Sequence, residues 1–305
     1  MSLFRQAGEF DSVEFTRLRN ERDTFHSEQR KYIDALWNRT KSFLDSNFVS
    51  EFARQTPQRF WELRLAATLL DLNFELERTG EGRPDFCTRT KDGHRLWIEA
   101  VSPTLGHEGN PDRAPDGIAD GRFRAVPEEA LLLRYTQALA AKHLAFQRFR
   151  EAGIVSASDR CVIAISSSAL GRYSDRDDPP RIMGALFPVG RRLLRVDPES
   201  LDIEAMRYDF RDAIRRTTGT SVSTAMFLAP AYADISGVIL DSARATGWRQ
   251  QAYGLFKTIH NPLATLPLPK GWFSIGHEYV VTHLGDRNYE MEWTAHCKDG
   301  SPSGP

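Results

Sequence analysis

Three acids and one lysine carry the chemistry open to this chain. Glu62 stands in the run Phe60-Trp61-Glu62-Leu63, Asp85 follows Pro84, and Glu99 ends the run Leu96-Trp97-Ile98-Glu99. A helix acid on an apolar stripe, a Pro-Asp pair, a hairpin and an apolar strand bearing a second acid together build a carboxylate cluster. Hard oxygen ligands of this kind suit Mg²⁺ or Mn²⁺. Such an ion lowers the pKa of bound water and polarises a phosphoryl oxygen, which is the chemistry of phosphodiester hydrolysis.

The elements that must position these groups can be read from spacing. Residues 87–90 and 94–98 read as strands, with Asp92-Gly93 as a two-residue turn of the favoured Asp-Gly type. That turn pairs position 85 with position 100, so Asp85 and Glu99 are diagonal neighbours at one end of the hairpin. A carboxylate inside so apolar a strand is costly unless compensated; otherwise Glu99 tops an edge strand and faces water. Residues 57–71 have helical spacing, with Pro57 in the first turn. Arg64 and Asp71, one heptad apart, mark the wet face. Glu62 lies about 200° round from Arg64, on the stripe of Leu65, Ala66 and Leu69. The alternative for Glu62 is a solvated first-turn acid favoured by the helix dipole.

With these residues the chain resembles the PD-(D/E)xK nuclease superfamily, the restriction-endonuclease-like fold. The match is Glu62 on the helix, Pro84-Asp85, and Glu99 as the acid of the last motif. The resemblance implies an α/β fold with an αβββαβ core over residues 57–168 and a central mixed sheet flanked by helices. Around it stand a helical extension at 1–56 and a C-terminal part, 169–305, that extends the same sheet or forms a small second subdomain. It also implies a Mg²⁺-dependent hydrolase, an endonuclease acting on nucleic acid, DNA foremost, with Glu62, Asp85 and Glu99 as metal ligands. The chain departs from the motif at one position: the motif lysine is replaced by Val101. In this superfamily that lysine can migrate to another element. Lys142 is the candidate, because it lies one heptad from both Tyr135 and Phe149 on a helix at 128–152. Lysine is rarely buried without a partner, and only seven lysines stand against thirty-three arginines here. The alternative is a snorkelling stem with its ammonium in water; Gln137 and His143 are weaker substitutes. Loss of the motif lysine keeps a second function open, a catalytically inactive fold that binds nucleic acid or protein. Catalysis is therefore assigned to Glu62, Asp85, Glu99 and Lys142.

Composition excludes other classes. The net charge of −1 over 305 residues argues against a general nucleic-acid sponge, though local patches can still bind. Nine arginines at 176–216 are offset by eight acids. Cys87, Cys161 and Cys297 lack metal-type spacing and fit a reducing compartment, so a cytoplasmic location is expected. No apolar stretch reaches the ~18 residues of a membrane span, and no Gly-rich phosphate loop appears. A homodimer is a candidate assembly. Residues 103–127, with four Gly and four Pro, read as a long loop beside the acids, offering Arg113, Arg122 and Arg124 to phosphate. Further on, a helix is expected at 203–216 and strands near 160–167, 223–229, 235–240, 253–259, 278–283 and 289–294. His260-Asn261 reads as a turn after a strand.

Overall fold

The helix that carries Glu62 has no wet face. In the computed structural model, which describes residues 2–4, 8, 11–117, 125–200, 202–247 and 256–296, three N-terminal helices pack on its outer side. They are α1 (Val13–Asn20), α2 (Thr24–Thr40) and α3 (Phe48–Arg54). Ser12 and Asp23 cap the first two, accepting from the amides of Phe15 and His26. Phe15, Leu18, Ile33, Leu36, Phe48 and Phe52 close over Phe60, Leu63 and Ala67 of the fourth helix, α4 (Thr56–Asp71). The opposite side of α4 sets Trp61, Leu65, Ala66 and Leu69 on the sheet. A helix covered on both sides must bury any polar residue it carries, and Arg64 is one. It is 2% exposed and donates to Asp241 at 2.9 Å. The expected wet face is thereby corrected at Arg64, while Asp71 pairs with Arg39 at 2.5 Å.

Next come β1 (Phe86–Arg89), β2 (Arg95–Val101), α5 (Glu128–Glu151) and β3 (Arg160–Ser166). The order from α4 is thus α-β-β-α-β. The first of the three strands expected after the helix is reduced to one bridge, Glu77 with Cys87. Period-2 alternation divides β2 between two cores. Leu96, Ile98 and Ala100 face α4, whereas Trp97 joins Leu131, Tyr135, Leu139 and Phe146 of α5 on the other side.

The sheet is mixed and seven-stranded. Its order is β1-β2-β3-β8-β9-β10-β11, where β8 is Gly237–Asp241, β9 Lys257–His260, β10 Gly276–Gly285 and β11 Asn288–His296. Strands β2, β3 and β8 are mutually parallel and β8–β9 antiparallel. The C-terminal strands therefore extend the sheet that holds Glu99. Between β3 and β8 the chain forms a short helix α6 (Met183–Leu186) and two separate hairpins. These are β4 (Val189–Val196) with β5 (Ile203–Phe210), and β6 (Ala213–Arg215) with β7 (Ser221–Ser223).

Three expectations need correction. Residues 203–216 are strands, not a helix. Glu, Ala, Met and Arg in that run favour helix locally, and cross-strand pairing with the Arg-Leu-Leu-Arg-Val run of β4 overrides them. Residues 223–229 form the end of β7 and a 3₁₀ turn at Met226–Leu228. The β1–β2 loop has three residues instead of two. Thr90 donates to the His94 carbonyl at 2.9 Å, and Gly93, at φ +87°, takes the left-handed position. The observed pairs Phe86↔Ile98 and Cys87↔Trp97 extend to place position 85 opposite Glu99. The two acids are direct cross-strand neighbours, not diagonal ones. Among the described residues no helix is long and apolar enough to cross a membrane.

Candidate active site

Each acid is held by a different element. Glu62 sits on α4, 4% exposed, with both carboxylate oxygens occupied. Gln58 Nε2 donates to one at 2.8 Å and Arg59 Nη1 to the other at 2.7 Å. These partners lie one helical turn earlier, at i−4 and i−3. Gln58 also reaches the strand, donating to the Ala100 carbonyl at 3.3 Å and accepting from the Ser102 amide at 2.6 Å. It ties α4 to the end of β2 and so sets Glu62 beside the other acids.

Asp85 is placed by Pro84 at the mouth of β1. Its Oδ2 accepts from the amide of Ala100 at 2.7 Å. Glu99 points to the α5 side of the sheet, as alternation from Trp97 requires, and is 5% exposed. There Lys142 of α5 donates from Nζ to Glu99 Oε2 at 2.5 Å. Its side chain is 23% exposed, so the stem is covered and the ammonium ends on the carboxylate instead of snorkelling into water. The weaker substitutes point elsewhere: Gln137 accepts from Arg134 and His143 meets Asp234 at 2.9 Å.

The electrostatics follow from burial and crowding. Glu62 and Glu99 are each pushed up to about 7, first by burial and then by the like charge of Asp85. Asp85 is raised by burial, against the pull of Lys142. Burial alone would lower the affinity of Lys142 for its proton. Glu99 and Asp85 outweigh that and raise it, so the ammonium stays charged. Two cations, Arg59 and Lys142, among three crowded carboxylates leave the cluster one positive charge short. Among the described residues, Asp85 Oδ1 and Glu99 Oε1 accept no hydrogen bond. Glu62 and Asp85 line a cavity of about 90 Å³, walled by Phe43–Asp45 and Thr79–Arg83. Oxygen donors of this kind suit a hard divalent cation, although the ligand atoms of the three acids do not all lie within 4.8 Å of one another. Each oxygen of Glu62 already accepts one hydrogen bond, from Gln58 or Arg59.

Other groups do not join this centre. The tightest trio among the described residues, Glu21, Asp23 and His26, has ligand atoms within 4.8 Å of one another, but Asp23 is the cap of α2. A larger cavity of about 360 Å³, at the base of the β4–β5 hairpin, holds none of the four site residues. Burial pushes the thiols of Cys87 and Cys161 up to about 12, which leaves no reactive thiolate there. His260 does not sit in a free turn; it donates to or accepts from Glu278 at 2.7 Å. In the 103–127 segment, Asp112 is anchored by Thr217 and Arg216, and Arg113 pairs with Asp116. Arg122 and Arg124 lie outside the described residues.

Sequence reasoning missed Gln58 and Arg59. Their signal was present in the spacing, since both fall one turn before Glu62 on its own helix face. Comparison with family models, with curated proteins and with solved structures finds no match, so the reading of this site rests on its own residues and their arrangement.

Proposed function

We propose that the chain is a metal-dependent nuclease that hydrolyses phosphodiester bonds of nucleic acid, DNA being the first substrate to test. In this reading its core is restriction-endonuclease-like and the absent motif lysine at Val101 is replaced by Lys142. The observation that carries the reading is the Lys142–Glu99 contact beside Asp85. A lysine on a helix forty-three positions downstream meets the strand acid next to which the motif lysine would stand. Nothing in a purely structural role calls for three neighbouring carboxylates, two of them raised to about 7 by burial and by the charge of the third.

Asp85 and Glu99 would hold a Mg²⁺ or Mn²⁺ ion directly and Glu62 through water. The bound ion would supply Lewis acidity and a water of lowered pKa. The chain's own groups do the rest. Gln58 and Arg59 fix the Glu62 carboxylate so that it can order a water without swinging away. Lys142, charged at neutral pH, is a hydrogen-bond donor and not a base. Its place is beside the negative charge that builds on the phosphate oxygens as the nucleophile adds. Glu62, with its raised proton affinity, is the acceptor best suited to the proton leaving the attacking water.

The test is a plasmid-nicking assay with purified protein, with Mg²⁺ or Mn²⁺ and with EDTA. Cleavage that requires the metal and is lost in Asp85→Asn supports the reading. Absence of cleavage of single- and double-stranded DNA and of RNA by the wild type, with either metal, refutes it.

A further inference from the structure

Beyond its base, the ribbon formed by β4 and β5 is exposed on both faces. Its register puts Arg192 opposite Tyr208, Leu194 opposite Met206 and Val196 opposite Ile203. Arg192, Leu194 and Val196 are two apart on β4 and share a face. A register shift opposite Arg195–Val196 keeps Ile203 paired on that side, so these three pairs form one surface that is apolar apart from Arg192. Leu194 is 46% exposed, Met206 56%, Val196 42% and Ile203 62%. An isolated two-stranded hairpin is marginal in water, and a contiguous apolar surface of this kind marks a contact site.

Charge says what covers it. Arg191 pairs with Asp209 and Arg195 with Glu204 inside the ribbon. Left without an ion pair inside the ribbon are Arg192 and Arg207 toward the base, and Asp197, Glu199 and Asp202 at the tip, all exposed or half-exposed. The ribbon is basic at one end and acidic at the other. Antiparallel stacking on a second ribbon, about a two-fold axis perpendicular to the strands, sets each Arg192 over the other's acidic tip. Parallel stacking would oppose like charges.

We propose that this face is a self-association surface, meeting the same face of a second copy of the chain, antiparallel about a two-fold axis. The inference does not depend on the carboxylate site. Eight residues per strand give a length of about 26 Å and, at two strands' width, a face well short of the ~800 Å² per partner of a stable complex. Association on the order of tens of micromolar follows.

Sedimentation velocity of the full chain from about 1 to about 200 µM, with melting curves of each variant, tests this. The wild type should pass from monomer to dimer in that range. Met206→Glu should stay monomeric with its melt within a few degrees of wild type; Ile203→Glu serves if Met206→Glu fails to fold. Arg192→Glu should weaken the dimer by about tenfold or more. Adding Glu199→Arg and Asp202→Arg to Arg192→Glu makes the base acidic and the tip net basic, with Asp197 left in place, and should restore it. A wild type that stays monomeric throughout overturns the proposal. So does a Met206→Glu protein that dimerises as the wild type does, or a triple variant no tighter than Arg192→Glu.

Discussion

Lys142 keeps its proton because two carboxylates outweigh its desolvation. Its part is therefore electrostatic, and removing it should affect turnover more than folding. Lys142→Ala is expected to lower the cleavage rate by a factor on the order of 10²–10⁴, while Mn²⁺ titration still reports binding at Asp85 and Glu99. Wild-type turnover in Lys142→Ala would rule the residue out. Asp85→Asn should behave in the opposite sense on the two axes. It removes the like charge that raises Glu62 and Glu99. The metal-free variant should then melt a few degrees above wild type at pH 8 while cutting nothing. These residues were legible because their types are chemically costly where they stand: an acid in an apolar strand, a lysine on an apolar stripe. Gln58 and Arg59 were not legible, since a neutral amide and an arginine early in a helix are common and only the fold shows them closing on Glu62.

At the scale of elements, α4 illustrates how pattern reading fails. Its sequence suggests one apolar stripe, yet α1–α3 cover what would be the wet side. Nothing in residues 57–71 announces a second covering layer, and Arg64 is matched by an acid 177 positions away. Arg64→Ala would leave Asp241 buried and unpaired, so a loss of about 3–5 kcal/mol is expected by chemical denaturation. A loss below ~1 kcal/mol would show the pair to be hydrated. Similarly, β10 is fastened to its neighbours by Glu278, which meets His260 at 2.7 Å and His296 at 2.8 Å. Burial pushes this carboxyl up, but the two imidazoles and the Gly271 amide prevail and hold it at about 2. A depressed carboxyl stabilises the fold above its ordinary range and loses that contribution as pH falls toward 2. Glu278→Gln should therefore flatten the acid limb of the stability profile between about pH 5 and pH 2. The hairpin strands β10 and β11 were read correctly from alternation, and β5 was not. Its residues serve either period, and only its partner strand decides.

For the whole molecule the crowded acids set a pH dependence of the opposite sign. Folding raises the proton affinity of Glu62 and Glu99, so their contribution to stability is present at low pH and is lost as pH climbs through about 7. Metal-free protein should melt on the order of 5 °C lower at pH 8.5 than at pH 6. Mg²⁺ should remove most of that difference by binding the ionised cluster. Identical slopes with and without Mg²⁺ would count against a metal at this site. The broad architecture, a mixed sheet flanked by helices, was expected from the motif resemblance, while the individual long helices and core strands were readable from their patterning. The closure of the N-terminal layer on the far part of the chain was not, because it is made by a few polar contacts and the two small residues Ala243 and Ala245, which follow no period.

Those contacts also govern the order in which the molecule can be completed during synthesis. Glu14 receives a hydrogen bond from Thr246, Gln29 donates to the Gly247 carbonyl, and Arg64 closes on Asp241. The N-terminal third leaves the ribosome first but finds its anchors only when residues 241–247 have emerged. Until then Arg64 of α4 lacks its buried carboxylate, and Glu62 rides on that helix. The carboxylate grouping is therefore completed late in translation, and a nascent chain stopped before residue 241 should lack the nuclease activity proposed for it.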